Sequence, residues 1–334
     1  MSKMLSFVDA IVASNANSTI QKILLRDSGF LLLPYEEIIG TLLRVRAALS
    51  SASASSSANL QLRFHCPPSE EGERILNLIA SLLSAMEDKT GEAIWSTMEL
   101  VRMELTAGVT AWSSSLAPQG SSAVHEATRY VMGYIGFLLS HYSSMGPIVS
   151  QAEILGRYVP RTRQYPLLIS LIMEMVSSVE QDLAKNSESF QDQSLRFLFL
   201  INNSNFIMQQ LRDTLSSLDD GDEAAPVADK VEGYMESYVQ VSWAPVLSCL
   251  LNPPTPRLGR NYHPLSKFES EFHKIYTTQK LWKVPDPALR KRLRRAITEK
   301  IIPDYTKYIE DNNVSAPKFT PQQLEEMLQE LFEG

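Results

Sequence analysis

The residues with the clearest chemical potential form a dense row of cations in the stretch 280–300. That stretch holds eight basic side chains and two acidic ones, a local balance of +6. The whole chain carries a formal charge of −7, so the remaining residues carry −13, which is −7 less +6. A concentrated basic element on an acidic protein predicts one localised contact with an anion, and it argues against a nucleic-acid partner.

The middle of this row has the periodicity of an amphipathic helix. At about 100° per residue, one face carries four cations, Arg290, Lys291, Arg294 and Arg295. The opposite stripe is apolar and consists of Leu289, Leu293, Ala296 and Ile297. Each cation near an anionic membrane leaflet contributes about 1 kcal/mol. The pattern predicts a reversible contact with anionic phospholipid, and the alternative is a solvated face that pairs with acidic groups of the same protein.

The histidines do not indicate a catalytic or metal site. They form no pair at i,i+4, no cluster with cysteine and no pairing with a nucleophile motif; they are His65, His125, His141, His263 and His273. A phosphate-binding glycine loop is also missing from the sequence. We therefore predict a protein that is not an enzyme and that has no cofactor and no metal. His125 is expected to be an interhelical hydrogen-bond partner or a helix-start residue.

Composition indicates a helical protein of a reducing compartment. The 334 residues are 44% hydrophobic and include 14 glycines, and β-branched runs are scarce. Cys66 and Cys249 are the two cysteines and lie far apart, which argues against a disulfide framework. The apolar part of 1–18 is interrupted by Asp9 and favours an amphipathic first helix over a signal peptide. No segment reaches the roughly 20 uncharged apolar residues of a membrane span, so any membrane contact is expected to be peripheral.

Helical periodicity recurs along the chain, with breaks predicted at prolines such as Pro147 and Pro226. This pattern predicts an all-α fold, an elongated rod of stacked antiparallel helical bundles; a repeat solenoid is the alternative. We expect three bundles, which cover 1–115, 119–218 and 227–334. Loops are predicted at 50–58, 219–229 and 252–265. Trp243 and Trp282 are interpreted as packing residues, although Trp282 beside Pro285 also fits an exposed anchor.

Four segments resemble the seventy-kilodalton subunit family of the exocyst, the complex that tethers secretory vesicles to the plasma membrane. The segment 123–135 contains Val-His and Thr-Arg-Tyr-Val-Met, and 195–203 contains Leu-Phe-Leu and Asn-Asn. The other two are 282–287 with 302–305, and the terminal segment 320–334. The resemblance is strongest to the plant branch and covers the chain from about residue 120 onward.

The resemblance implies a non-catalytic exocyst-type subunit that takes part in vesicle tethering and exocytosis, in the cytoplasm and peripherally at the plasma membrane. The implied partners are other exocyst subunits, anionic phospholipid or phosphoinositide, and a small GTPase, immune receptor or pathogen effector. Family members are longer and begin with a coiled coil, and this sequence contains no heptad segment of that kind. The alternative is a truncated interaction module that acts outside the exocyst, for example in plant immunity as a partner or effector target.

The resemblance also adds one residue to the predicted lipid site. Ahead of its terminal helix the family carries Lys-Tyr-Ile-Lys-Tyr, whose lysines touch phosphoinositide headgroups. The corresponding run here is Ser-Ala-Pro-Lys-Phe at 315–319, so Lys318 is the cation retained. The complete predicted lipid-binding set is Lys283, Arg290, Lys291, Arg294, Arg295 and Lys318.

Overall fold

The computed structural model describes residues 32–63, 70–107, 122–215, 224–251 and 264–334. Within these ranges the chain forms eleven α-helices, and the one β pairing is a single antiparallel bridge between Lys283 and Glu333. The predicted all-α class is confirmed. In chain order the helices are α1 (Leu32–Arg63), α2 (Glu70–Thr106), α3 (Glu126–Ser140), α4 (Tyr142–Ile154), α5 (Leu167–Ser187), α6 (Gln193–Leu215), α7 (Ala225–Ser242), α8 (Ala244–Leu251), α9 (Pro264–Gln279), α10 (Pro287–Asp311) and α11 (Pro321–Gln329).

One compact unit contains α1, α2 and α4, most of α3 and the first part of α5. Tyr35 near the start of α1 donates a hydrogen bond to Glu104 near the end of α2, at 3.4 Å. Ser50 donates to Glu87 at 2.8 Å, so α1 and α2 run antiparallel. The second half of α2 buries an apolar face that includes Trp95, Met98, Val101 and Leu105.

The second compact unit contains α6 to α11 together with the segment that precedes α3. Its core is rich in aromatic rings, which include the fully buried Trp243, Phe268, Phe272, Tyr305 and Phe332. The interpretation of Trp243 as a packing residue is confirmed. Trp282 is partly buried and packs against the same core, which favours its packing interpretation as well.

Helix α10 forms where the sequence predicts an amphipathic helix. Asp286 caps its start, since the side chain accepts a hydrogen bond from the Leu289 N–H at 2.6 Å. Pro287 occupies the first turn, where its missing N–H leaves no hydrogen bond unmade. The stripe that faces the core continues at i,i+4 spacing through Leu289, Leu293, Ile297, Ile301 and Tyr305.

Two local predictions are wrong. The predicted loop at 50–58 lies within α1, because alanine and serine tolerate helical geometry and the adjoining part of α1 packs along α2. Pro147 does not break the helix but lies inside α4, where it removes one backbone hydrogen bond while Met145, Ile148, Val149 and Ala152 are buried.

Other predictions are covered only in part by the described residues. The last part of the predicted loop at 219–229 is helical, since α7 starts at Ala225 with Pro226 in its first turn. The expected first helix, Cys66 and most of the Pro-rich stretch at 252–265 lie outside the described residues. The division into three bundles stays a prediction. Among the described helices, none is long and apolar enough to cross a membrane.

Candidate functional site

Helix α10 presents two of the predicted lipid-binding arginines to the last residues of the chain. Arg290 Nη1 lies 2.8 Å from Glu333 Oε2, and Arg294 Nη2 lies 2.6 Å from Glu333 Oε1. Arg294 also donates to the Leu331 carbonyl, from Nε at 2.9 Å. Their side chains are 20% and 14% exposed, so both guanidinium groups are largely covered. One carboxylate therefore bridges two arginines at the surface of the second unit.

The loop before α10 contributes a second contact between a cation and the terminal segment. Lys280 Nζ lies 2.6 Å from Glu330 Oε2 and 3.0 Å from the Tyr276 hydroxyl. Tyr276 also donates to Glu330, so one carboxylate receives hydrogen bonds from two side chains of α9 and its C-terminal turn. This part of the basic row is occupied by the protein's own acid.

Two further arginines of α10 are also paired. Arg292, on the side of the helix away from Glu333, pairs with Glu232 of α7. Arg295 pairs with Glu299 one turn further along α10 at 2.7 Å, and its side chain remains 76% exposed. Exposed i,i+4 pairs are weak, so Arg295 keeps most of its capacity to bind an external anion.

The other members of the predicted set differ in where they lie. Lys283 and Lys291 are exposed, and no ion pair to another described residue involves either one. Lys318 lies beside α9, because its backbone N–H donates to Glu269 at 2.9 Å. The next residue, Phe319, accepts a hydrogen bond from Tyr305 of α10, ten residues or about 15 Å of helix beyond Arg295. The structure thus separates Lys318 from the row.

The carboxylates at the row have lowered pKa values. The hydrogen bond from Lys280 is the main cause for Glu330, and the hydrogen bond from Arg294 is the main cause for Glu333. Reciprocally, the pKa of Lys280 is raised, first by its hydrogen bond to Glu330. Both acids are therefore ionised at neutral pH, and the +6 of the stretch 280–300 is reduced by Glu232, Glu330 and Glu333 to +3.

Comparison with known proteins places the chain in a family. The sequence profile for the C-terminal region of Exo70, a member of the exocyst complex, matches residues 4–330. The chain belongs to the Exo70 family. Among its relatives, exocyst complex component EXO70C1 of Arabidopsis thaliana is 24% identical over 248 residues, which cover 65% of this chain and 38% of that protein. EXO70B2 of the same plant is 29% identical over 188 residues, which cover 56% of this chain and 30% of that protein.

Solved structures support the Exo70 fold. A structure of S. cerevisiae Exo70 aligns with 99% of this chain and 70% of the yeast chain, with a TM-score of 0.55 and 15% sequence identity.

Exocyst complex component 7 of Drosophila melanogaster is 21% identical over 288 residues, which cover 76% of this chain and 41% of that protein. The chain thus spans well under half the length of the curated relatives that it matches.

The segments that carry the Exo70 resemblance meet in space. Asn202 donates to the carbonyl of Ser122 at 2.6 Å and to that of Lys283 at 3.1 Å. The hydroxyl of Ser122 donates to the same Lys283 carbonyl at 2.7 Å. The Asn-Asn pair of α6 therefore fixes the backbone of the loop that carries Lys283, and it does so from the interior of the second unit.

The neighbouring asparagine holds the start of α3. The Oδ1 atom of Asn203 accepts from the His125 N–H at 2.8 Å and from the Thr128 hydroxyl at 2.9 Å. His125 Nδ1 in turn accepts from the Ala127 N–H at 3.2 Å, as a helix cap does. The helix-start role predicted for His125 is confirmed, and the bond that joins His125 to α6 is made by its backbone N–H and not by the imidazole. His65 and His263 lie outside the described residues, and no group of three or more potential metal ligands occurs among the residues that the structure describes.

Sequence reasoning missed the acids that face the cations. Glu232 is 60 residues from Arg292 in the sequence, and Glu330 is 50 residues from Lys280. Glu333 is 43 residues from Arg290 and 39 from Arg294. The terminal segment offered one signal. Its Leu-Phe-Glu sequence places a charged residue directly after two apolar ones, so packing of the apolar pair would hold the carboxylate of Glu333 close to the core. The alternative of pairing with the protein's own acids therefore holds for Lys280, Arg290, Arg292 and Arg294.

Proposed function

We propose that this chain acts as a non-catalytic component of exocyst-type vesicle tethering and exocytosis, in the cytoplasm and peripherally at the plasma membrane. The observation that carries the proposal is the match of residues 4–330 to the C-terminal region of Exo70. Relatives in Arabidopsis and Drosophila are named as components of the exocyst complex. Other exocyst subunits are accordingly the first partners to test, and a small GTPase is a further one.

The second part of the proposal is a peripheral contact with anionic phospholipid. Its main support is the set of exposed cations on one stretch of the second unit, Lys283, Lys291 and Arg295. At about 1 kcal/mol each near an anionic leaflet, three cations change binding by roughly two orders of magnitude. The loop that carries Lys283 is fixed by Asn202, so that cation is presented from a defined position. Lys318 provides a separate contact point.

Vesicle flotation tests the lipid contact directly. We expect the variant Lys283→Gln, Lys291→Gln, Arg295→Gln to lose at least tenfold in binding to phosphatidylcholine vesicles that contain a phosphatidylinositol bisphosphate. The matched control neutralises three exposed lysines elsewhere, Lys185→Gln, Lys274→Gln and Lys307→Gln, with the same change in net charge. Equal losses in the two variants would contradict a localised contact.

Affinity purification tests the tethering role separately. The tagged chain expressed in plant tissue is expected to recover other exocyst subunits. Their absence from the purified material, with the chain intact, would contradict assembly into the complex. A fluorescent fusion of the triple Gln variant should leave the cell periphery if the cations hold the protein there.

We propose as a second candidate an interaction module that acts outside the exocyst, for example with an immune receptor or a pathogen effector. The observation that favours it is an apolar stripe at i, i+3, i+4 and i+7 on the exposed surface of α2, formed by Ile75, Leu78, Ile79 and Leu82. Such a stripe fits an amphipathic helix of a partner. Purification with Leu78→Ser and Leu82→Ser should then lose that partner but keep the exocyst subunits.

A further inference from the structure

Glu333 occupies a site that is chemically suited to a phosphate group. Arg290 and Arg294 lie one turn apart on α10 and aim their guanidinium groups at the two oxygens of one carboxylate. Arginine donates in a planar fork that matches carboxylate and phosphate oxygens alike. The carboxylate side chain itself is 59% exposed, so an anion from solvent can approach the same position. Exposed Lys291 follows Arg290 in the sequence but lies about 100° away from it around the helix.

The segment that carries Glu333 is anchored without its carboxylate. Leu331 and Phe332 are fully buried, and the Val284 N–H donates to the Phe332 carbonyl at 3.2 Å. The Phe332 ring packs against that of Tyr238 with a centroid distance of 6.1 Å. Arg294 donates hydrogen bonds to the Leu331 carbonyl as well as to the Glu333 carboxylate. Because these contacts remain when the carboxylate moves away, Glu333 can be displaced while the segment stays in place.

We infer that Glu333 is an internal competitor of the lipid headgroup: its carboxylate fills the Arg290–Arg294 site and must be displaced by a phosphate group before both arginines join the membrane contact. This inference rests on the proposed lipid contact and deepens it. The exposed cations make the first, weak contact, and exchange of Glu333 for a phosphate strengthens it.

Protonation does not release Glu333 at neutral pH. The hydrogen bond from Arg294 is the main reason why the pKa of this carboxyl is lowered, so it stays ionised until the solution is distinctly acidic. Release at neutral pH therefore needs a competing anion, and an anion with more charge than a carboxylate competes better for two arginines. A phosphate monoester meets that requirement, since it brings close to two negative charges and three acceptor oxygens.

Glu333→Gln tests the competition, and Glu330→Gln is its matched control. Both substitutions remove one negative charge from the same segment, but Glu330 pairs with Lys280 and does not touch the arginines of α10. We expect Glu333→Gln to bind vesicles with a phosphatidylinositol bisphosphate about tenfold more tightly than Glu330→Gln does. Adding Arg290→Gln and Arg294→Gln to Glu333→Gln should abolish that gain. Equal binding of the two single variants, or a gain that persists without the arginines, would overturn the inference.

Binding of soluble inositol trisphosphate distinguishes recognition of the phosphate group from attraction to a membrane surface. Tighter binding of this probe by Glu333→Gln than by Glu330→Gln is expected and does not depend on the exposed cations or on a bilayer. If neutralising Lys283, Lys291 and Arg295 leaves vesicle binding unchanged, the proposed lipid contact fails, whereas the result with the soluble probe still decides the competition. No difference between the single variants with that probe contradicts the inference.

The fold of each variant can be checked at the same position. Trp243 lies in the core that contains Leu331 and Phe332, and Trp282 packs against it, so a change in the tryptophan emission of the protein reports loss of the segment from this core. We expect unchanged emission and thermal midpoint in Glu333→Gln. Should that variant lose the segment, Glu333→Ala removes the same charge without leaving a polar amide, and it must show the same gain in binding.

Discussion

The α9–α11 region and the first half of α2 are both built from amphipathic helices, yet they place their apolar side chains in opposite ways. In α9–α11 the aromatic rings of Phe268, Phe272 and Tyr305 stack inside a continuous core. In the first half of α2, Leu83 and Met86 are buried in a small cluster with Leu49 of α1. The rest of the stripe, represented by Leu78 at 60% exposed, faces solvent.

The sequence opposite each stripe explains the difference. Beyond Ser50, which donates to Glu87 of α2, the sequence of α1 contains only serine and alanine up to residue 58. Serine has no apolar side chain and that of alanine is small, so this stretch of sequence offers little apolar surface for a core. Helix α10 instead meets Phe and Leu side chains of neighbouring helices. An amphipathic stripe therefore shows that a helix has an apolar face that can pack, and the side chains of the neighbouring helix decide whether that face is buried.

The largest expected effect is loss of an aromatic ring from the α9–α11 core. Phe272→Ala should lower the free energy of unfolding by about 3–5 kcal/mol, because the ring is fully buried and contacts Trp243 at a centroid distance of 5.7 Å. Urea denaturation measures the change. Leu78→Ala on the exposed stripe is the matched comparison, and similar losses in the two variants would remove the contrast between the regions.

A smaller loss is expected from the buried asparagine that joins α3 to α6. Asn203→Ala leaves the His125 N–H and the Thr128 hydroxyl without their shared acceptor and should cost about 2 kcal/mol. Asn77→Ala on exposed α2 should be close to neutral. Denaturation curves of both variants check the prediction, and a neutral Asn203→Ala would mean that water replaces the amide.

Buried and surface carboxyl groups should respond to pH with opposite signs. Desolvation raises the pKa of Glu180 despite its 2.6 Å contact with Lys230, so its charged form costs stability near neutral pH and that cost disappears as the pH falls. The pKa of Glu333 is lowered, so its contribution is present above the ordinary value of 4.5 and is lost as the pH falls through the lowered one.

Single Gln variants measure these two signs. The stability of the wild type relative to Glu180→Gln should rise as the pH drops from 7 towards 4, while its stability relative to Glu333→Gln should fall at the acid end of that range. Denaturation at a series of pH values provides the comparison. If both stability differences changed in the same direction with pH, the opposite pKa shifts of Glu180 and Glu333 would be contradicted.

The smallest effect concerns the exposed stripe itself. Leu78→Ser should change the free energy of unfolding by no more than about 0.5 kcal/mol, because the side chain already faces solvent. Met86→Ser, eight residues further along the same helix and buried, should cost several times as much. Thermal unfolding resolves the two, and a large loss for Leu78→Ser would show that the stripe is covered in solution.

Local sequence patterns predicted much of the helical framework and parts of the core. The i,i+4 spacing of Leu289, Leu293 and Ile297 gave the buried face of α10, since a helix brings those positions together whatever surrounds it. The family-like segment around His125 led to two alternatives, an interhelical hydrogen-bond partner or a helix-start residue, and the contact of its Nδ1 with the Ala127 N–H shows the second. Local pattern fails at 50–58, because low apolar content does not exclude a helix and both alanine and serine are compatible with one.

What the sequence alone determined is a helical Exo70 family member with a basic, amphipathic helix near its C-terminal end. Only the tertiary structure decided which cations of that helix face solvent and which are held by Glu232 and Glu333. The physical reason is range: helical periodicity depends on neighbours within a turn, whereas Arg294 and Glu333 are 39 residues apart and meet only after the chain has folded. In the folded protein Lys291 is exposed, whereas Arg290 and Arg294 on either side of it in the sequence form ion pairs with Glu333.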